Sequence, residues 1–543
     1  MTKENKKIIE LVKFLAQQKI KSREDFLKLK QKKCHEFGIS QPDNVLILET
    51  YRKLFKSPCP PVGRKKNQFL EKLIKRPVRT LSGVAVVSVL TKFFPCPGKC
   101  LFCPSEKSLP KSYLSGEPAV ERAKRLKFNP YLQVKKRIET LEKIGHPTDK
   151  IELIVIGGSW SALPENYQYW FIKECFRGAN DTRLNFAKQN LGGKKKLAQQ
   201  QRKNEKTKHR IVGITLETRP DLITPAEIFK MRELGATRVE IGVQILDDRI
   251  LKLNKRGHGL KEIEKATSLL KEAGFKVCYH LMFGLPFSSF KKDLSIFKKV
   301  FADKKFRPDM LKLYPCVVAP GSKILKLWQE KKYYPYSDQT LISLLTKVKL
   351  MVPPYVRINR VIRDIPSTKI LAGSKVSNLR EKVLEEMKKN GLACQCIRCR
   401  EIKDAAQNQK NLKLLKLEYE ASEGKEIFLS YESQKKNKPA CLTGRLASFL
   451  RLRLQKIYPL FFPELKNAAL IREVHTYGAL VPIGQHKKAI QHQGLGKKLI
   501  KKAEKIAKEQ GFKKIAVIAG VGTREYYRKL GFKLKNTYLI KSL

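Results

Sequence analysis

At 543 residues, 42% of them hydrophobic, the chain is long enough for two or three domains with packed cores, which excludes wholesale disorder. Lysine and arginine total 113 against 50 aspartate and glutamate, a formal net charge of +63. That surplus favours polyanions over small neutral partners and makes nucleic acid the natural candidate, although charge alone would look the same in any protein from a lysine-biased proteome.

In chain order, residues 1–75 predict a basic helical domain, because Ile8, Ile9, Leu11, Val12 and Leu15 recur at helical spacing among lysines. The N-terminus has no apolar core followed by a small-residue cleavage site, and no segment reaches the roughly 18 apolar residues of a membrane span, so a cytoplasmic protein with no membrane partner is expected. From Gly83 the pattern changes to β-branched and apolar runs that predict buried strands at 83–90, 151–158, 211–218, 237–244, 275–286 and 310–315. Helical stretches such as 222–234 and 260–273 lie between them. Alternating strands and helices predict a parallel sheet with crossover connections, hence an open or closed α/β barrel over residues 76–390. The polar stretch 181–210 interrupts this rhythm and predicts a mobile basic loop.

After about residue 390 come a cysteine group, strands near 413–432 and 468–484, a glycine loop, a helix, a strand at 514–519 and a short helix. These predict a separate α/β domain over residues 391–543. No repeat of fixed period is present.

Twelve cysteines are few for a disulfide scaffold, and six of them form two tight groups, as expected of reduced metal ligands. In FFPCPGKCLFCP, Cys96, Cys100 and Cys103 follow the first barrel strand, at the end where α/β barrels collect their active sites. A four-iron cluster usually takes four cysteines, so three would leave one iron open to a small molecule. A structural zinc would need a fourth ligand close by, and none follows in the next stretch. The second group, Cys394, Cys396 and Cys399, has spacing suited to a zinc ion with one distant ligand; His475, Cys441 and Cys316 are candidates for it.

The first cysteine group resembles that of the radical S-adenosylmethionine superfamily, in which the open iron of a 4Fe-4S cluster is chelated by S-adenosylmethionine. Gly157 and Gly158, at the end of IELIVIGG, resemble the glycine pair that contacts the methionine moiety there. At 491–496, QHQGLG opens a lysine-rich helix whose N-terminal N–H groups could hold a pyrophosphate. With a strand at 479–483 before it and TREYYRKLGF after it, this order resembles the GNAT family of acetyl-coenzyme A binding domains, with Tyr527 at the position of the tyrosine near the coenzyme sulfur.

Both halves together resemble the catalytic subunit of Elongator and its free-standing bacterial and archaeal relatives, through motifs that include ETRPD, RVEIGVQ, RDIPS, NLRE and REVHTYG. The resemblance implies a radical S-adenosylmethionine partial (β/α) barrel, a C-terminal GNAT domain and a small N-terminal helical domain that binds tRNA. It implies a tRNA uridine acyltransferase that joins the acetyl methyl carbon of acetyl-coenzyme A to carbon 5 of the wobble uridine in the anticodon stem-loop, leaving carboxymethyluridine. It carries the acetyl-coenzyme A contacts onto Lys150, Glu473, Val474, His475, Thr476, Leu495, Gly496, Lys497 and Tyr527, and a metal-binding element onto the second cysteine group. The competing readings are a protein lysine acetyltransferase with a structural iron–sulfur barrel and an RNA-binding scaffold without activity. Dimerisation is left open.

Overall fold

The computed structural model describes residues 3–18, 20, 22–55, 73, 83–181, 193–402, 412–433, 444–455, 461–478 and 494–543. Three amphipathic helices, Lys3–Gln17, Arg23–Glu36 and Asn44–Phe55, close a small core of their own around Leu11, Val12, Phe26 and Ile47. The Arg52 guanidinium donates to the Glu142 carbonyl at 3.0 Å and ties this bundle to the barrel.

Seven strands, β1 Ala85–Leu90, β2 Lys150–Ile156, β3 Arg210–Thr218, β4 Arg238–Gln244, β5 Lys276–Phe283, β6 Met310–Pro315 and β7 Arg357–Arg360, pair in parallel in sequential order. β1 and β7 remain edges, so the barrel is open. The period of two decides what each strand shows to either side. On β2, Ile151, Leu153 and Val155 pack outward against the helices Pro130–Lys143 and Glu165–Asn180, while Lys150, Glu152, Ile154 and Ile156 line the lumen. Each fully buried aliphatic side chain on the outer face contributes about 1.5–3 kcal/mol.

Helix Pro225–Glu233 starts three residues later than the sequence suggests, because Thr224 caps it by accepting from the Glu227 N–H at 3.2 Å. The 181–210 segment is not simply a loop: it carries a helix, Lys194–Asn204, whose Leu197, Gln201 and Asn204 are buried on one narrow face. A stripe that thin is swamped by its lysines in any average over the segment.

The second sheet runs β13-β14-β12-β11-β10-β9-β8, from β8 Leu412–Ala421, β9 Gly424–Ser433, β10 Arg445–Leu454, β11 Ala468–Thr476, β12 Lys514–Val517, β13 Lys533–Lys535 and β14 Tyr538–Ser542. Helix Leu495–Glu509 covers it with Leu499, Ile500 and Ala503. The expected strand at 479–483 lies outside the described residues. Among the described residues, no helix is long and apolar enough to cross a membrane.

A buried ionic joint locks the two sheets together. Arg472 of β11 donates to Asp309, just before β6, and at 3.0 Å to Glu426 of β9; Arg453 of β10 donates to Glu426 at 3.1 Å. All four side chains are buried to within 1%.

Candidate active site

The Cys96 loop leaves the C-terminal end of β1 and is pinned by backbone bonds from Leu101 N–H to the Asn254 carbonyl and from Ile324 N–H to the Leu101 carbonyl, both 3.1 Å. The Gly98 N–H donates to Cys96 Sγ at 3.4 Å, and Arg256 Nη1 donates to Cys100 Sγ at 3.2 Å. Arg219, held by Asp221 at 3.0 and 2.9 Å, lies beneath: a Cβ on Gly98 would fall 2.5 Å from its Nη1, so a larger residue there would have to displace that guanidinium. Burial and the neighbouring Cys100 push the Cys103 thiol up to about 11, so a ligated metal must displace its proton.

Among the described residues, two groups of three donor atoms come within 4.8 Å of one another, and Cys96, Cys100 and Cys103 are not one of them. One zinc would hold thiolates about 2.3 Å from itself and so closer together than that. Three cysteines spread wider, backed by two guanidiniums and open to the lumen, fit a polynuclear cluster with one exposed iron.

Gly157 and Gly158 end β2 with φ of +133° and +93°. A Cβ on Gly157 would fall 2.1 Å from Thr91 Oγ1, whereas Gly158 faces the lumen beside the cysteine loop.

Below them the lumen is polar. Lys312 of β6 donates to Glu217 Oε1 at 2.9 Å and pairs with Glu240, which also bonds His280 Nε2 at 2.8 Å; Tyr113 donates to Glu217 Oε2 at 3.1 Å. Burial opposes charge on Lys312, but the two carboxylates outweigh it and hold the ammonium well above its ordinary range. Glu240, Cys278 and His280 form the second three-donor group, yet an ammonium already occupies the cation position there. Sequence reading passed over these residues; the signal was available as a polar residue at every second position of strands taken as wholly buried.

At the opposite mouth stands Lys150, six residues and therefore about 20 Å from Ile156, the last residue of β2 before the glycine pair, at roughly 3.3 Å per residue. Burial lowers its pKa, with Asp149 opposing. β11 pairs with β12 only through residues 468–471, and beyond Ile471 the two strands part. A bulge against β10 at the same place sends Arg472 into the ionic joint and turns Glu473 toward the lumen, where Arg451 Nε donates to it at 2.9 Å.

The wedge between the parted strands receives the N-terminus of helix Leu495–Glu509. A Cβ on Gly496 would fall 3.2 Å from Tyr526 Oη and 3.8 Å from both Thr476 Oγ1 and Val474 Cγ1, so Val474, Thr476, Gly496 and Tyr526 converge. Lys497 lines the same space, and Leu495 is buried as the first helical residue. His475 stacks on Phe449 and lies against Tyr477. Tyr527 is 7% exposed and packs edge-on against Phe532, while Tyr526 is 39% exposed beside Gly496. Gln491, His492 and Gln493 lie outside the described residues.

One cavity of about 1750 Å³ joins these places: Cys96, Cys100 and Cys103 at one end, the lumen residues between, and Glu473, Gly496 and Tyr527 at the other.

Cys394, Cys396 and Cys399 are the other compact three-donor group. Hydrogen bonds from the Cys394 and Cys399 thiols drive Cys396 well down, toward the thiolate. Lys349, fully buried, donates to Cys399 at 3.6 Å and is held above its ordinary pKa by the three sulfurs despite its burial. The donors suit one zinc ion, whose excess thiolate charge Lys349 would balance. Neither His475 nor Cys316 belongs to the group, Cys316 being buried against Tyr333; Cys441 lies outside the described residues.

Comparison with known proteins assigns the class. Residues 93–294 match the Radical SAM superfamily, residues 308–389 the Radical_SAM C-terminal domain, and residues 468–532 the Acetyltransferase (GNAT) family. This is therefore a radical S-adenosylmethionine barrel joined to a GNAT acetyltransferase domain. The chain is 43% identical over 539 residues to the tRNA uridine(34) acetyltransferase of Methanocaldococcus infernus, covering 96% of both chains, and 37% identical to human Elongator complex protein 3, covering 96% of this chain and 93% of the human one. The solved structure of the archaeal Methanocaldococcus infernus Elp3 with an N-terminus deletion superposes with a TM-score of 0.71 at 42% identity, covering 85% of this chain and 99% of that one. The chain belongs to the family of the tRNA uridine(34) acetyltransferases and Elongator complex protein 3.

Proposed function

We propose that this protein modifies the wobble uridine of tRNA, using S-adenosylmethionine at one end of the barrel and acetyl-coenzyme A at the other. The observation that carries this reading is the single cavity running from the cysteine loop to Gly496 and Tyr527. Two separate enzymes on one chain would not need it.

A 4Fe-4S cluster held there would supply the electron that splits S-adenosylmethionine; one hydrogen of the acetyl methyl would leave in 5'-deoxyadenosine, the methyl carbon would bond carbon 5 of uridine in place of its hydrogen, lost as a proton with return of one electron, and thioester hydrolysis would leave carboxymethyluridine. The chain's own residues do the rest. Cys96, Cys100 and Cys103 hold the cluster, with Arg256 and Arg219 offsetting its negative charge. Gly158 leaves room for the methionine moiety. Lys150, residues 473–476 and residues 495–497 bind the coenzyme, with the helix N-terminus facing its pyrophosphate. Tyr527 stands at the thioester end. Alignment of the two reactants is the main demand, and a shared, walled lumen meets it.

The anticodon stem-loop is held by the basic region of residues 1–75 and the barrel rim, in the cytoplasm, and Cys394, Cys396 and Cys399 carry zinc between a barrel of residues 76–390 and an acetyltransferase domain of residues 391–543.

Anaerobic incubation of the cluster-loaded, chemically reduced protein with tRNA, S-adenosylmethionine and acetyl-coenzyme A, followed by mass spectrometry of the nucleosides, should find carboxymethyluridine, and none with Cys100→Ala. Acetylation of a peptide lysine that survives Cys100→Ala, with tRNA unchanged, would overturn the proposal in favour of a protein acetyltransferase.

A further inference from the structure

The described end of the basic insertion before β3 is anchored to the barrel and reaches the acetyltransferase half. Asn204, the last residue of helix Lys194–Asn204, is fully buried: its Oδ1 accepts from the Ile211 N–H at 2.8 Å, and its Nδ2 donates to the His209 carbonyl at 3.1 Å and to Asn180 Oδ1 at 2.8 Å. The end of the insertion is thereby fixed to β3 and to helix Glu165–Asn180.

The next residue, Glu205, is 5% exposed and reaches across to the acetyltransferase half. Its Oε1 accepts from Arg524 Nη1 at 3.0 Å and its Oε2 from Arg528 Nη1 at 2.6 Å. These arginines stand one turn apart on helix Arg524–Arg528, which carries Tyr526 and Tyr527 between them. Among the described residues, Glu205 is the only carboxylate paired with Arg524.

The turn leading into that helix lies on the barrel backbone. A Cβ on Gly520 would fall 2.0 Å from the Val212 carbonyl oxygen, and one on Gly522 would fall 2.9 Å from that of Ile211. The turn is thus held from below. Five residues make too short a helix to hold its own geometry, so its orientation depends on what grips its side chains.

We propose that Glu205 is the positioning residue of this tyrosine helix: by gripping Arg524 and Arg528 it sets where Tyr526 and Tyr527 stand against Gly496, and so gives the insertion a part in binding acetyl-coenzyme A. The proposal rests on the functional reading above for the identity of the ligand. It assigns the insertion to the coenzyme end of the cavity rather than to RNA.

The test is calorimetric titration of acetyl-coenzyme A into the full-length protein. Glu205→Gln should weaken binding about tenfold, within the range for residues coupled through one hydrogen-bonded network. Glu205→Asp, which keeps the charge, should recover most of that loss. Arg528→Gln should weaken binding similarly, and the Glu205→Gln, Arg528→Gln double variant little more than either alone. Binding of S-adenosylmethionine should be unchanged in all of them. Wild-type protein that binds acetyl-coenzyme A while Glu205→Gln and Arg528→Gln bind it equally well overturns the inference. Wild-type protein that does not bind it overturns the functional reading instead. Should Glu205→Gln unfold, Glu205→Asp and Arg528→Gln decide: normal binding by both overturns the proposal, and weakened binding by Arg528→Gln that is milder in Glu205→Asp supports it.

Discussion

Lys271 offers a test of the ionic joint between the two halves. It is fully buried on helix Leu260–Glu272, 3.7 Å from a carboxylate oxygen of Asp309 and 3.7 Å from one of Glu426, and its Nζ donates a hydrogen bond to neither. The carboxylates are already served: Arg472 donates to both, Arg453 to Glu426, and Arg451 lies 3.6 Å from Asp309. Burial lowers the Lys271 ammonium to about 8, the two carboxylates offsetting only part of the effect. The folded chain therefore holds this proton less tightly than the unfolded chain, for which the ordinary value is about 10.4. Since one pH unit corresponds to about 1.36 kcal/mol, the charged lysine costs the fold about 3 kcal/mol at pH 7, and the cost fades as pH rises from about 8 to about 10.5.

Lys271→Met keeps the unbranched stem and removes the charge. Urea unfolding at pH 7 should show no loss of stability and a gain of up to about 3 kcal/mol, shrinking toward zero by about pH 10. Asp309→Asn is the control: it leaves Arg472, Arg451 and Lys271 with one buried carboxylate fewer and should cost about 3–5 kcal/mol at pH 7. A loss greater than about 2 kcal/mol for Lys271→Met at pH 7 would show instead that the ammonium is required to hold the two carboxylates and carries no net cost.

Three further outcomes are expected. Cys100→Ala should abolish iron incorporation on anaerobic reconstitution yet leave the calorimetric affinity for acetyl-coenzyme A within about twofold, because sites without shared partners behave additively; joint loss of both would contradict two separate ends to the cavity. Gly157→Ala places a Cβ 2.1 Å from Thr91 Oγ1 at a φ of +133° and should weaken S-adenosylmethionine binding by at least about tenfold, with iron content retained. Cys396→Ser removes the sulfur that carries the thiolate of the second group and should lower both zinc content, measured by elemental analysis, and the melting temperature; an unchanged metal content would exclude that group as the ligand set.

Much of the barrel was legible because each strand from β1 to β6 carries an apolar or β-branched run set off by helical stretches, and that contrast is local. β7 and β10 were not: β7 has four residues, and β10 alternates arginine with leucine, a pattern that reads as surface until Asp309 and Glu426 arrive from other elements to pair with those arginines. The insertion was read as a loop for the same reason. Its buried face is three residues wide, and the partner that gives Glu205 its meaning lies more than 300 positions away.

What the sequence determined by itself was chemistry carried by local spacing: three thiols within eight residues, a glycine pair closing a strand, a glycine loop opening a helix. Those patterns constrain backbone and donor atoms over one turn or one loop, and nothing distant can rewrite them. Only the tertiary structure decided that the two sites share one lumen, that Lys312, Glu240 and His280 lie between them, and that Tyr526 faces the cavity while Tyr527 is the more buried. Those facts depend on strand alternation around an open barrel, on the parting of β11 from β12, and on buried ion pairs between elements far apart in the chain, where low dielectric and close packing fix positions that no local pattern encodes.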